Sequence, residues 1–428
     1  MRPNVCSQSA VIIMGESGVL DDVFEQFLKS TPIFKDRNVL RHDYIPDRLP
    51  HREEQIRFLG ETVAPLLKNS RCSNVFLYGK TGTGKTAVTK YVLGKLVLKA
   101  HGLAPVNICY VNCRLVGTEY KVFFNLCQAL DVKVPFTGLS VGEVFDRFRK
   151  GLDSEEHLFI IVLDEIDVLI KTRGDVLLYE LTRINETLLN SKVSIIGISN
   201  DLRFKELLEP RVLSSLSEEE IVFRPYDAAE LQNILMDRAR MAFFDGVLHD
   251  GAVSLCAALA AAEHGDARRA LDLLRVAGEL AERKGEPSIA EDHIRRAEKR
   301  MEHDRILEAL KNLPLHSKLV VCGVYLLGKV KTNYSVTGDI YETYRELCSE
   351  LPLSPLTQRR VSGLINELDV TGLLNARIAS MGRYGRTKKI SLGIGRSLIK
   401  EVFANDDRIG PLIDYAPKCF AELSGSKS

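Results

Sequence analysis

The stretch VFLYGKTGTGKT at residues 75–86 restricts the fold more than any other. An apolar run of β-branched and aromatic residues breaks into Gly79-Lys80-Thr81-Gly82-Thr83-Gly84-Lys85-Thr86, which satisfies G-x-x-x-x-G-K-[ST] at each required position. The expected order is a buried strand, a phosphate loop and a helix. The glycines let the backbone turn tightly and aim its N–H groups at phosphate oxygens, and the opening of the helix at Lys85 adds the positive end of its dipole. Lys85 would reach the β- and γ-phosphates of ATP or ADP, and the Thr86 hydroxyl would ligand Mg²⁺. A Gly-rich surface turn, the bland alternative, has no need of the strand before and the helix after.

With 428 residues the chain is too long for one ordinary core, so two or three domains are expected. After the phosphate loop and its helix, a second strand is expected over 106–111, continuing through the close pair Cys109 and Cys113. Helices follow near 119–130 and 141–151. The run LFIIVLDEID then ends a continuous apolar strand in Asp164-Glu165, and VSIIGISN ends another in Asn200. Continuous apolar strands alternating with helices indicate a parallel sheet covered on both faces, with its functional residues at the strand ends. From 227 the pattern is helical only, to an interruption at Pro314. Residues 315–415 read helix, helix, helix, hairpin, which is the order of a winged helix. The expected division is an extension 1–40, a nucleotide-binding base 41–226, an all-helical lid 227–313, a winged-helix domain 314–415 and a tail 416–428.

Charge narrows the partners. The formal net charge is only +1, so a nucleic-acid partner needs a local basic patch. One is present: between Arg377 and Arg396 there are basic residues and no acidic one. The hairpin tip carries Arg383, Tyr384, Arg386, Lys388 and Lys389, suited to phosphates or a minor groove. Gln358, Arg359 and Arg360, at the start of the third helix, suit the major groove of duplex DNA. The nine cysteines have no second pair at zinc-ligand spacing and read as buried free thiols of a reducing compartment. No signal peptide and no run of eighteen apolar residues is found, which leads us to expect a cytoplasmic chain with no membrane partner.

Asp164 and Glu165 answer the phosphate loop. Asp164 would position Mg²⁺ through water and Glu165 would act as general base, the alternative being a helix N-cap pair. Asn200 could hydrogen-bond the attacking water or the γ-phosphate, or simply form a turn. Arg211 and Arg268 are candidates to stabilise charge on the transferring phosphoryl, or are solvated arginines.

The segments IFKDRNVLRHDYIPDRLPHREEQI, GKTGTGKT, VLDEID, IGISND, LEPRVLSSL, EHGDARRALDLLR and NARIASMGRYGRTKKISL together resemble an archaeal replication initiator of the AAA+ superfamily. That family is related to the large subunit of the eukaryotic origin recognition complex and its helicase-loading partner. The resemblance implies an α/β AAA+ base, a helical lid and a C-terminal winged helix, a weak ATPase acting as a switch, binding to origin DNA in the nucleoid, recruitment of the minichromosome maintenance helicase, and further initiator copies on adjacent sites. It implies that Asn200 is sensor 1, that Arg268 is sensor 2 reading the γ-phosphate from the lid, and that Arg211 stands where related ATPases place an arginine finger. Tyr44, Ile45 and Pro46 would line the adenine pocket, with Tyr226 also assigned to the nucleotide site. Residues 117–138 correspond to an initiator-specific insertion whose loop touches DNA, here with Lys133 and Phe136. A clamp-loader-like motor and a nucleotide-sensing transcription regulator are the competing classes.

Overall fold

Leu158–Asp164 (β3) is buried along its whole length. Phe159, Ile161 and Leu163 enter the core on one face of a sheet, while Leu158, Ile160 and Val162 enter the core on the other. A strand can be apolar at every position only if both faces are covered, and the strands around it meet that condition. Asn74–Tyr78 (β1), Val106–Asn112 (β2), Lys192–Ser199 (β4) and Glu218–Val222 (β5) complete a five-stranded sheet in the order β2-β3-β4-β1-β5, parallel throughout. The order matters for chemistry. β4 lies between β3 and β1, so Asn200, the residue after β4, emerges between Asp164 and the phosphate loop.

The computed structural model describes residues 24–25, 32–216, 218–330, 334–380 and 386–418. Most of the expected extension and most of the expected tail fall outside them. The chain forms two compact units, residues 1–297 and 298–428.

In the first unit, Glu53–Val63 (α1) leads to the sheet, and Lys85–Ala100 (α2) follows the phosphate loop. The helix α1 gives way at Ala64 to a 3₁₀ turn, Ala64–Lys68, with Pro65 near its start. Proline has no N–H to continue the helical ladder. Cys113 does not continue the strand of Cys109. It opens a short helix, Cys113–Val116 (α3), whose N-cap Asn112 accepts from Leu115 N–H at 3.1 Å. Glu119–Gln128 (α4) and Val141–Leu152 (α5) pack with Ile166–Arg173 (α6), Val176–Arg183 (α7) and Pro210–Leu216 (α8) around the sheet. Ala228–Ala242 (α9), Asp250–Ala262 (α10) and Ala267–Lys284 (α11) form the helical lid, and α9 begins with a reciprocal capping box between Asp227 and Glu230. Glu291–Asn312 (α12) spans the division between the units.

The second unit packs Leu315–Val330 (α13), Thr337–Glu350 (α14) and Gln358–Val370 (α15) against a three-stranded antiparallel sheet of Ser335–Val336 (β6), Leu374–Ser380 (β7) and Arg386–Leu392 (β8), in the order β6-β8-β7. Val361, Leu364, Ile365 and Leu368 are buried, so the apolar stripe of α15 faces the core. Arg396–Ala404 (α16), not foreseen, closes the unit and buries Leu398, Ile399, Val402 and Phe403.

Candidate functional site

The phosphate loop is built as a cradle. Gly82 and Gly84 have φ of 69° and 93°, a region in which side chains are strained. A Cβ at Gly82 would collide with the Asp266 carboxylate, and one at Gly84 would come within 2.8 Å of Tyr226 Oη. No side chain caps the first turn of α2, which leaves its N–H groups to an anion. Lys85 is buried and its Nζ donates to the carbonyls of Gly79 (2.6 Å) and Lys80 (2.7 Å). Burial pushes its pKa down to about 8, against the opposing pull of Asp164. The cradle therefore fits a phosphate chain: unfilled helix donors, close backbone approach and a buried lysine.

Beyond it lies a cavity of about 420 Å³. The base contributes Tyr44, Ile45, Pro46, Gly82, Gly84, Thr86 and Lys90 to its wall, and the lid side contributes Tyr226, Arg238 and Arg268. Arg238, on α9, lies over the Tyr44 ring at 4.7 Å and donates to the carbonyls of Val39 and Tyr44, both at 3.2 Å. The lid touches the loop directly, because Ala267 N–H donates to Gly82 O at 3.1 Å. Asp266 caps α11 through the N–H groups of Arg268 (2.8 Å) and Arg269 (3.3 Å).

A cluster of oxygen groups gathers at the end of β3. Thr86 Oγ1 donates to Asp164 Oδ2 at 3.0 Å, Tyr110 Oη donates to the same oxygen, and Glu165 N–H donates to Asp164 Oδ1 at 2.9 Å. A hydroxyl and a carboxylate next to the phosphate cradle are a hard-oxygen set suited to Mg²⁺. Glu165 is the N-cap residue of α6 yet makes no side-chain cap bond. Its φ of 54° is strained for a non-glycine residue. Its carboxylate instead accepts from Asn112 Nδ2 (3.3 Å) and Arg114 (3.0 Å). A plain capping role does not account for that geometry.

The other residues singled out by sequence are spread between this site and other parts of the chain. Arg211 is exposed on α8, paired with Glu209 at 2.7 Å, and is not among the residues that line the cavity. Asn200 N–H donates to Asp167 Oδ1 at 3.2 Å. Thr81 and Thr83 lie within the loop, and Thr83 Oγ1 donates to Lys80 O at 2.9 Å. Phe136 is 63% exposed in the loop between α4 and α5, edge-on to Phe124 at 5.5 Å, with Lys133 in the same loop. In the second unit, Gln358, Arg359 and Arg360 form the exposed first turn of α15. Arg360 pairs with Glu367 at 3.0 Å, and Lys388 Nζ on β8 donates to Asn366 Oδ1 on α15. Lys389 lies 4.2 Å from the Tyr334 ring centroid. Arg386 begins β8, whereas Arg383 and Tyr384 lie outside the described residues.

Three family descriptions match the chain in succession: an ATPase family associated with various cellular activities (AAA) at 75–225, a Cdc6 AAA+ ATPase-type lid domain at 232–299, and a CDC6 C-terminal winged helix domain at 308–402. The ORC1-type DNA replication protein of Pyrococcus horikoshii is 52% identical over 409 residues, covering 94% of this chain and 98% of that protein. The chain belongs to the ORC1-type DNA replication proteins. ORC1-type DNA replication protein 1 of Sulfolobus acidocaldarius is 48% identical over 397 residues, 92% of this chain and 99% of its own. The structure of the Aeropyrum pernix ORC1 protein in complex with DNA is 50% identical, has a TM-score of 0.80, and covers 89% of this chain and 99% of that one. The family and the AAA+ base, lid and winged helix expected from the sequence are thus as read, and an ATPase domain with a nucleotide site comes with them. Among the described residues no helix is long and apolar enough to cross a membrane.

Arg52 went unnoticed in the sequence. It is 1% exposed, donates from Nε to Thr83 O at 2.9 Å and from NH2 to Arg224 O at 2.8 Å, and stacks over the Tyr226 ring at 3.7 Å. One guanidinium so ties the phosphate loop to the strap entering the lid. Its signal was faint: a single arginine just before a helix.

Proposed function

We propose that this ORC1-type protein is an ATP-dependent initiator that binds duplex DNA at a replication origin, turns ATP over slowly, and helps to load the replicative minichromosome maintenance helicase. The observation that carries the nucleotide part is the single cavity shared by the phosphate cradle and Arg268 of the lid. In this reading Lys85 binds the β- and γ-phosphates, while Thr86 and Asp164 hold Mg²⁺, which when bound neutralises charge across those phosphates. Glu165 accepts the proton of the attacking water, Asn200 orients that water, and Arg268 couples the γ-phosphate to the lid. Arg211 acts on the site of a neighbouring copy. Slow turnover is supported by the donation of Asn112 and Arg114 to Glu165, which favours its charged form and so lowers its strength as a base.

For DNA, the support is the 50%-identical ORC1 structure that holds DNA, together with the charged first turn of α15 and the basic hairpin. Gln358, Arg359 and Arg360 then read base edges, and Arg383, Tyr384, Arg386 and Lys388 grip the backbone or minor groove. Lys133 and Phe136 add a further contact.

Footprinting on genomic duplex tests the reading, using ATP, ADP and the Glu165→Gln variant. Protection is expected within an intergenic replication start, with Glu165→Gln binding ATP, failing to hydrolyse it, and keeping the ATP pattern. Protection scattered without sequence preference would overturn the initiator assignment.

A further inference from the structure

Strand β2 runs beside β3 in parallel register, with Tyr110 opposite Val162 and Asn112 opposite Asp164. Residues two apart on a strand share a face. Tyr110 and Asn112 therefore present side by side at the end of β3, and each engages one of its two acidic residues: Asn112 holds Glu165, and Tyr110 donates to Asp164. The tyrosine is fixed from its other side, because Lys90 Nζ sits 4.9 Å from its ring centroid. Lys90 is one helical turn after Thr86 on α2 and lines the nucleotide cavity.

We propose that Tyr110 is a positioning residue for the divalent metal of the nucleotide site, its phenolic O–H orienting the Asp164 carboxylate. The proposal rests on the assignment of Thr86 and Asp164 to Mg²⁺. Asp164 has three donors around it, and they differ in what they can do when an ion arrives. The Thr86 hydroxyl can turn a lone pair to the metal while its O–H still donates to Asp164, so its position follows the ion. The Glu165 N–H is backbone and holds Oδ1 only. Of these three, Tyr110 is the side-chain donor that is not itself assigned to the metal, and it holds Oδ2. Partners behind a metal-bearing carboxylate set its orientation, and their loss typically lowers metal affinity 10–100-fold.

The alternative is a core tyrosine satisfying its hydroxyl on whatever acceptor is near. Tyr110→Phe separates the two, since it keeps the ring, its packing and Lys90. ADP affinity is measured by calorimetry in EDTA and across a MgCl₂ series, and Mn²⁺ occupancy with ADP is followed by electron paramagnetic resonance. We expect unchanged affinity in EDTA and unchanged thermal stability, while the Mg²⁺ concentration for half of the metal-dependent gain, and the Mn²⁺ dissociation constant, rise roughly 10-fold. An unchanged metal midpoint overturns the proposal, as does an equal loss of affinity with and without metal. Thr86→Ala is the companion: it removes the assigned direct ligand and should shift the midpoint further. If Thr86→Ala leaves the midpoint where it was, the metal assignment itself fails and the role of Tyr110 falls with it. Should Tyr110→Phe be poorly folded, Tyr110→His, which keeps a ring donor, must restore part of the metal response for the proposal to stand.

Discussion

Lys85 is a buried ammonium whose partners, without nucleotide, are two carbonyls of its own loop. Desolvation lowers its pKa from 10.5 to about 8, so the protein without nucleotide carries a folding penalty for the charged form. That penalty is present in full below about pH 8 and fades as pH rises towards 10.5. Phosphates favour the ammonium, so nucleotide binding works in the opposite sense and takes up a proton wherever the free protein has lost it. ADP affinity is expected to be flat below the folded pKa and to fall by up to about tenfold per pH unit above it. Calorimetry in buffers of different ionisation enthalpy would detect the proton uptake. Lys85→Arg, charged throughout, should bind less well and lose the pH dependence, and a parent-like slope in that variant would show that another group titrates. The loop residues were legible because the motif is contiguous and each position has its own reason. Arg52 and Tyr110 were not, since their meaning lies in partners 172 and 54 residues away that only the fold supplies.

Among the elements, the strands of the parallel sheet were the most readable, because an apolar run buried on two faces looks like nothing else of that length. Helix ends were less so. Pro65 ends α1 in a 3₁₀ turn, and α16 escaped notice because Arg396–Ala404 carries its apolar residues just after a long basic hairpin. The helix α15 and the hairpin β7–β8 belong to one unit but are expected to fail differently. Lys388 already touches α15 through Asn366, so its charge sits at the junction of the two elements. Lys388→Ala should weaken binding to all duplexes and lower the slope of log affinity against log salt by about one unit. Arg360 is paired with exposed Glu367, a bond worth about 0–1 kcal/mol, which can be given up to a base at little cost. Arg360→Ala should cost about 1–3 kcal/mol on the preferred site and little on scrambled duplex, with Arg359 the next to test. Affinities of both variants on the two duplexes across a salt series separate these outcomes. Equal losses on both duplexes for Arg360→Ala would remove it from base reading.

At the scale of the whole molecule, the two compact units have separate cores. The sheet domain buries Phe76, Phe123, Phe148 and Phe159, whereas the unit from residue 298 onward buries Tyr344, Phe403 and the stripe of α15. Their connection in sequence runs through α12, a long helix of low mean hydropathy. Separate cores joined by one polar helix should not unfold as a single cooperative event. The nucleotide cavity lies wholly within the first unit, between the base and the lid, and the lid meets the phosphate loop through Ala267 N–H and Gly82 O. A ligand there stabilises only what unfolds with it. At about 100 times its dissociation constant, ADP adds ~2.7 kcal/mol to that transition, and each kcal/mol moves the midpoint of a unit of this size by roughly 2–4 °C. Scanning calorimetry should therefore resolve two transitions, of which ADP raises one by several degrees and leaves the other in place. Lys85→Ala should abolish that shift. Arg268→Ala, which removes the lid's side chain from the cavity but not the phosphate cradle, should keep most of the ADP shift and lose the extra shift given by a non-hydrolysable ATP analogue. If instead one transition moves as a whole with ADP, the second unit is energetically part of the first, and nucleotide state can reach the winged helix through stability alone.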